Sequence, residues 1–380
     1  MGVATPSDKA TPARLEHVDM LRGLASCFVV TSHLRAFVFV NFPSLKNPTA
    51  ITKMFYAFTG IGHSAVIIFF AMSGFLVGGK ALADMMTDRW SWPRYLLRRS
   101  TRLLIVVAPA LLATLILDSA GILATKGVGY DGSLYEFYSS GPSTAEPLSF
   151  SIWTFLGNMT FLQTIYVPIF GSNGPMWSLA NEFWYYIVFP LAATIYFVPY
   201  SKLNKIYAII LLIILISLLP KNLLEDGFIW VAGAVASWLT RFPALRPVYR
   251  HIGTRAMALL LVLFVLAMTR NPFGHSDLVF GLCIASALPI LAWLPSFGRY
   301  YQSAALAVAE VSYTLYLTHF PLFTLLVLVS LAPHRFQPGL DGAGAYGALM
   351  LAALAWAACF WWCFERNTDR VFRYLAKRFI

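Results

Sequence analysis

The chain has 380 residues, 58% of them hydrophobic and only 12% charged, where a water-soluble domain carries about a quarter charged residues. Its 28 Lys and Arg against 17 Asp and Glu would suit a nucleic-acid partner. The cations, however, stand in short clusters between apolar runs, which argues against nucleic acid and matches how membrane proteins carry charge. A helix needs about 20 apolar residues to cross a bilayer. Ten stretches approach that length, at 18–40, 57–79, 95–118, 176–197, 205–220, 225–240, 254–270, 276–294, 310–331 and 343–364. The fifth and sixth are short. The amphipathic stretch 150–166 predicts an interfacial or re-entrant helix. The expected fold is therefore an all-α integral membrane protein of about ten transmembrane helices, with the lipid bilayer as its main solvent.

Charge sets the expected orientation. With the N-terminus in the cytoplasm and ten crossings, 21 of the 28 basic residues fall on the cytoplasmic side. Both termini are then cytoplasmic, as the positive-inside bias requires. Residues 1–17 read as a disordered cytoplasmic tail, 18–366 as one membrane domain without internal repeats, and 367–380 as a basic cytoplasmic tail. The first apolar run is too long for a signal peptide and lacks a cleavage site. The longest connection, 119–175, is rich in Gly, Ser and Pro, lies outside, and is either an acceptor-binding lid or a solvated spacer. No soluble catalytic domain is expected, so chemistry must occur in or at the membrane. Cys359 and Cys363 stand one helical turn apart; with no other ligand nearby they read as packing residues, and no metal site is expected.

Titratable groups inside a span are costly and mark function. The first span carries Asp19, Arg22 and His33. Eleven residues separate Arg22 from His33, so the two share a helix face about 16 Å apart along the axis. An anchoring Arg with a packed His is the bland alternative. The second span ends FFAMSGFLVGGK, where Ser73 and Gly74 either serve a site or simply permit close packing. Arg99 and Arg102 share a face at the inner end of the third span, as a phosphate clamp would, although positive-inside anchoring competes. The fourth span opens NGPMWSLANEFWYYIVFP. Its Glu182 lies about two turns from the outer surface and His33 about four turns from the inner one, similar depths in a core about 30 Å thick. They make a plausible base and orienting partner. His319, in EVSYTLYLTHFP, reads as either catalytic or structural.

These pieces resemble the acyltransferase-3 family of membrane acyltransferases. The matching segments are VDMLRGLASCFVVTSHL, FFAMSGFLVG, RRSTRLLIVVAP, GPMWSLANEFWYYIVFP and EVSYTLYLTHFPL, in the family's order over about 18–370. The resemblance implies ten spans and transfer of acyl groups from cytoplasmic acyl-CoA to acceptors often presented outside. It carries an Arg-x10-His pattern onto Arg22 and His33, with His33 essential. It carries an Arg-x-x-Arg pattern onto Arg99 and Arg102, and a Trp-Ser-Leu-x-x-Glu motif onto Trp177, Ser178, Leu179 and Glu182. Asn181 departs from the family, where many members have an apolar residue, and so does the segment His63 to Val66, where many carry Gly-Val-Asp; both departures bear on the acceptor.

The expected reaction is O-acyl transfer from acyl-CoA, acetyl or succinyl, to a hydroxyl of a glycan or glycolipid at the bacterial inner membrane. No cofactor is expected to be bound permanently. Arg22, Arg99, Arg102 and Ser73 are assigned to the donor, His33 and Glu182 to catalysis, and Trp177, Ser178, Asn181 and His319 to the acceptor. His33 acts either as general base or as the atom that takes the acyl group. The rival reading is a transporter or flippase for an anionic glycolipid, whose buried Arg and His would line a proton or substrate path.

Overall fold

The computed structural model describes residues 15–138, 140–268 and 277–380. Most of the expected N-terminal tail and the connection at 269–276 lie outside the described residues. The helices are, in chain order, α1 (Glu16–Val38), α2 (Ala50–Thr59), α3 (Gly62–Ser73), α4 (Gly79–Met85), α5 (Trp92–Thr125), α6 (Ile152–Met159), α7 (Trp177–Phe197), α8 (Lys202–Leu218), α9 (Lys221–Leu239), α10 (Arg246–Arg250), α11 (Ile252–Met268), α12 (Asp277–Ala292), α13 (Arg299–Ser330), α14 (Leu340–Cys363) and α15 (Thr368–Phe379). No strand forms among the described residues; only isolated bridges occur, such as Phe39 with Phe336.

Each of the ten apolar stretches is mostly helical over its described residues, the second being broken at Gly60 and Ile61 between α2 and α3. Among the described residues, four helical segments are long and apolar enough to cross a membrane: Ala50–Met85, Trp92–Thr125, Arg299–Ser330 and Leu340–Phe379. A fifth is added if the bent pair Lys221–Leu239 and Pro243–Arg250 counts as one. The helix α1 is long, but Glu16, Asp19, Arg22 and Arg35 interrupt its apolarity.

The middle of the bundle belongs to α13, which packs against α1, α5 and α14. The most apolar stretch of Arg299–Ser330 is 78% buried against the rest of the chain, whereas that of Leu340–Phe379 is 11% buried. Cys359 and Cys363 lie on this peripheral segment and are exposed and free. The expectation that they pack inside the protein is corrected: their helix turns most of its surface outward.

Local chemistry explains the shapes of the site helices. Ser91 caps α5, its hydroxyl accepting from the Arg94 amide, with Pro93 in the first turn. The same helix runs to Thr125 and ends on Lys126 in the left-handed region, so the long connection begins later than the sequence predicts. The expected amphipathic helix shrinks to α6, because Thr160 leaves helical geometry and Phe161 and Thr164 take positive φ.

Between α3 and α4 the chain makes a π-helical turn, Gly74–Gly78. A side chain at Gly74 would meet the Trp230 carbonyl at 1.8 Å, and one at Gly233 would meet the Ala71 carbonyl at 2.1 Å. Backbone-to-backbone contact between α3 and α9 thus depends on these two glycines. The result places Ser73 against Trp230.

Candidate functional site

The structure builds two polar groups inside the bundle. The first joins α1 and α13. His319 is fully buried, and its Nδ1 lies 2.9 Å from the Leu315 carbonyl one turn back. A carbonyl only accepts, so Nδ1 carries the proton and Nε2 is left as an acceptor. Nδ1 of His33 lies 2.9 Å from that Nε2. His33 therefore donates, and its own Nε2 keeps a lone pair. The rings are nearly parallel, 11° apart, and Phe320 closes on the His33 ring edge-on at 5.1 Å.

Pro321 lies two residues beyond His319 on α13. Lacking an N–H, it cannot bond the Leu317 carbonyl. Asn173 takes over that carbonyl through Nδ2 at 2.9 Å and also donates to Thr114 at 3.2 Å. The neighbouring Ser172 donates from its amide and its hydroxyl to the buried Asp118 carboxylate, each at 2.7 Å. The connection leading into α7 is thereby pinned to α5 and α13 beside the histidines.

The second group joins α3, α7 and α9. Glu182 Oε1 accepts from the Ser73 hydroxyl at 2.7 Å and from the Tyr186 hydroxyl through a short bond. Trp230 Nε1 donates to Ser73 at 3.1 Å. Ser73, Glu182 and Tyr186 face a cavity of about 290 Å3 whose wall also includes Arg22, Arg99, Arg102, Ser178 and Tyr316. Most of the sequence-predicted donor and catalytic residues are thus brought together in one cavity.

The expected pairing of His33 with Glu182 is corrected. His33 bonds His319, Glu182 bonds Ser73 and Tyr186, and neither histidine lines the cavity. Their expected depths along the membrane normal match, but their helices place them in different groups. Tyr316 stands at the border. It lines the cavity, its hydroxyl bonds Ser178 at 2.7 Å and donates to the Pro175 carbonyl at 2.9 Å, and its ring centre is 6.3 Å from that of His319. The assignment of His319 to the acceptor is likewise corrected, since both its ring nitrogens are engaged within the protein.

The two arginines of the clamp differ. Nη1 of Arg102 lies 2.8 Å from Glu365 Oε1, and Glu365, only 2% exposed, also accepts from the Thr314 amide and hydroxyl. Arg99 approaches the Tyr186 ring at 6.0 Å, and its buried Nε has no hydrogen-bond partner among the described residues. The buried Nε of Arg22 has none either, although its Nη2 meets Asp19 at 3.0 Å. Donors in that state suit an anionic ligand.

Among the expected acceptor residues, Ser178 lines the cavity. Trp177 points elsewhere, stacking on His63 with ring centres 6.3 Å apart, and His63 bonds Asp277 at 2.8 Å. Asn181 is buried, away from the cavity wall. Tyr316, Trp230, Asp118, Asn173 and Glu365 were not expected from the sequence. Asp118 and Glu365 are carboxylates beside apolar runs and were open to detection; the other three resemble ordinary residues of a helix or loop.

A family model for an acyltransferase domain matches residues 15–362. The chain belongs to the acyltransferase-3 family. No curated protein and no solved structure is significantly similar to it. As an acyltransferase-3 protein it is a membrane acyltransferase, and the match spans both polar groups and all the helices that form them.

Proposed function

We propose that the protein transfers an acyl group from acyl-CoA to a hydroxyl of a glycan or glycolipid acceptor, with His33 as general base. The observation that supports this most directly is the hydrogen-bonded pair His33–His319, whose tautomers leave Nε2 of His33 as a basic atom in an otherwise apolar setting.

In the proposed step, His33 Nε2 takes the acceptor hydroxyl proton as its oxygen forms a bond to the thioester carbonyl carbon. The carbon–sulfur bond then breaks, and the CoA thiolate leaves and recovers that proton from the imidazolium. His319 fixes the ring and its tautomer. The Glu182 cavity takes the thioester arm, with Arg22 and Arg99 on the phosphate side and Arg102 held back in part by Glu365. Tyr316 separates the arm from the histidines and must turn away for the reacting groups to meet.

We place the protein in a bacterial inner membrane with ten crossings, both termini cytoplasmic and residues 126–151 outside. Cysteine labelling from each side tests this. Gly132 is a poor reporter, because its φ is +82° and an added Cβ would stand 2.3 Å from the Thr144 amide. Glu136 is exposed; Glu136→Cys should react with an impermeant reagent from the outside, and labelling only from the cytoplasm would overturn the topology. The reaction is tested by purified protein with radiolabelled acetyl-CoA and succinyl-CoA, and by mass spectrometry of surface glycans with and without the protein. An absence of acyl transfer together with unchanged glycans would defeat the reading.

A further inference from the structure

A second cavity of about 510 Å3 adjoins the first at the end of the bundle where α4 meets α5. It falls within the range of small-molecule sites, about 300–1,000 Å3. Lys80, Arg89, Arg94, Arg98 and Arg99 line it, opposed by Asp84. That carboxylate is already held by Lys80 at 2.8 and 2.9 Å. The cavity therefore presents a surplus of positive charge.

Two aromatic residues in its wall, Trp90 and Tyr95, stand 4.9 Å apart between ring centres. Trp90 Nε1 and the Tyr95 hydroxyl are both buried, and neither has a hydrogen-bond partner among the described residues. A buried indole or phenol normally finds one. Cations alone would suit any phosphate, including a lipid headgroup. Two aromatic faces with idle polar atoms ask in addition for a flat ring carrying nitrogen acceptors.

Arg99 lines both this cavity and the one holding Glu182, and Val77 does the same. One ligand can therefore occupy the two together. We infer that the Trp90–Tyr95 cavity binds the adenosine phosphate end of the acyl donor, the base against Trp90 and the phosphates among Arg94, Arg98 and Arg99. This rests on the acyl-CoA reading and extends it, since that reading puts Arg22 and Arg99 on the phosphate side but assigns no residue to the base. Stacking and phosphate contacts together are the usual means of holding a nucleotide with little sequence of its own to read.

The test uses the full-length protein in detergent and measures binding of two probes: CoA, and adenosine 3′,5′-bisphosphate, which lacks the pantetheine arm. Wild type should bind both. Trp90→Ala and Arg94→Gln should each weaken both probes at least about tenfold, with Trp90→Phe intermediate because it keeps a stacking face but not the N–H. Melting temperatures establish that each variant is folded. CoA and bisphosphate affinities unchanged in folded Trp90→Ala and Arg94→Gln would overturn the nucleotide site and leave the donor reading intact. The nucleotide site is equally overturned if the two variants lose binding to phosphatidylglycerol nanodiscs but keep the nucleotide, since the phosphate recognised is then a headgroup. A wild type that binds neither probe removes the donor reading, and the site falls with it.

Discussion

The His33–His319 pair and the Ser73–Glu182–Tyr186 cluster are both polar groups inside an apolar bundle, yet they are built in opposite ways. The histidines sit among rings, one hydrogen bond apart, with a backbone carbonyl behind them that sets both tautomers. Glu182 sits among hydroxyls and an indole and opens on a cavity rimmed with arginines. The first arrangement leaves a single lone pair, on Nε2 of His33, which suits proton transfer. The second spends its carboxylate on neighbouring donors and leaves arginines on the cavity wall. In the proposed mechanism the imidazole of His33 is held by a second imidazole rather than by a carboxylate, and Glu182 belongs to the binding side.

The contrast is most exposed at the lone pair. His33→Ala should lower acyl transfer by about 10²- to 10⁴-fold, the usual cost of deleting a general base, while CoA affinity stays within about twofold. Near-normal turnover by this variant with purified acceptor would remove His33 from the mechanism and leave the carboxylate cluster as the reacting centre.

Two substitutions together define the role of His319. His319→Ala removes the acceptor of the His33 Nδ1 proton and should cost about 100-fold. His319→Gln supplies an amide that both accepts and donates, so it should recover about tenfold of that loss; a missing hydrogen bond of about 1–3 kcal/mol spans this range. Equal losses in both variants, with equal falls in melting temperature, would mark His319 as a packing residue. The pH–rate profile adds a readout that packing alone does not move.

On the binding side, Arg99→Ala should weaken CoA by roughly 10- to 150-fold, the equivalent of about 1.5–3 kcal/mol for a charge-assisted bond. Arg102→Ala is a less clean probe, because it strands the buried Glu365 and threatens stability. Unchanged affinity in Arg99→Ala would return this cluster to membrane anchoring. The smallest effect is expected for Glu182→Gln. An amide oxygen can still accept from Ser73 and Tyr186, so kcat should fall by less than about tenfold. A loss as large as that of His33→Ala would make Glu182 part of the reacting group and erase the difference between the two regions.

Much of this was legible in the residues. The ten apolar stretches are mostly helical where they are described, since apolar length is a local property that the chain carries without help. The arginines, Ser73 and Glu182 converged on one cavity because each sits on a turn facing the bundle interior. The boundaries of α5 and α6 were less legible, because a left-handed cap at Lys126 and positive φ at Phe161 are single-residue choices that hydropathy does not record.

The partner of His33 shows most clearly where local information stops. The residues alone lead one to expect an imidazole and a carboxylate at similar depths, since expected depth follows from counting about 1.5 Å per residue along each helix. They do not say which helices are neighbours. That is decided by packing: close contact at Gly74 and Gly233 draws α3 against α9 and puts Ser73 within reach of Trp230, while α13 lies against α1 and brings His319 to His33. Pro321 frees a carbonyl that only a residue from the long connection, Asn173, arrives to satisfy. Depth is a one-dimensional property written along each helix, whereas lateral neighbourhood is set by contacts between residues far apart in the chain and emerges when the helices pack.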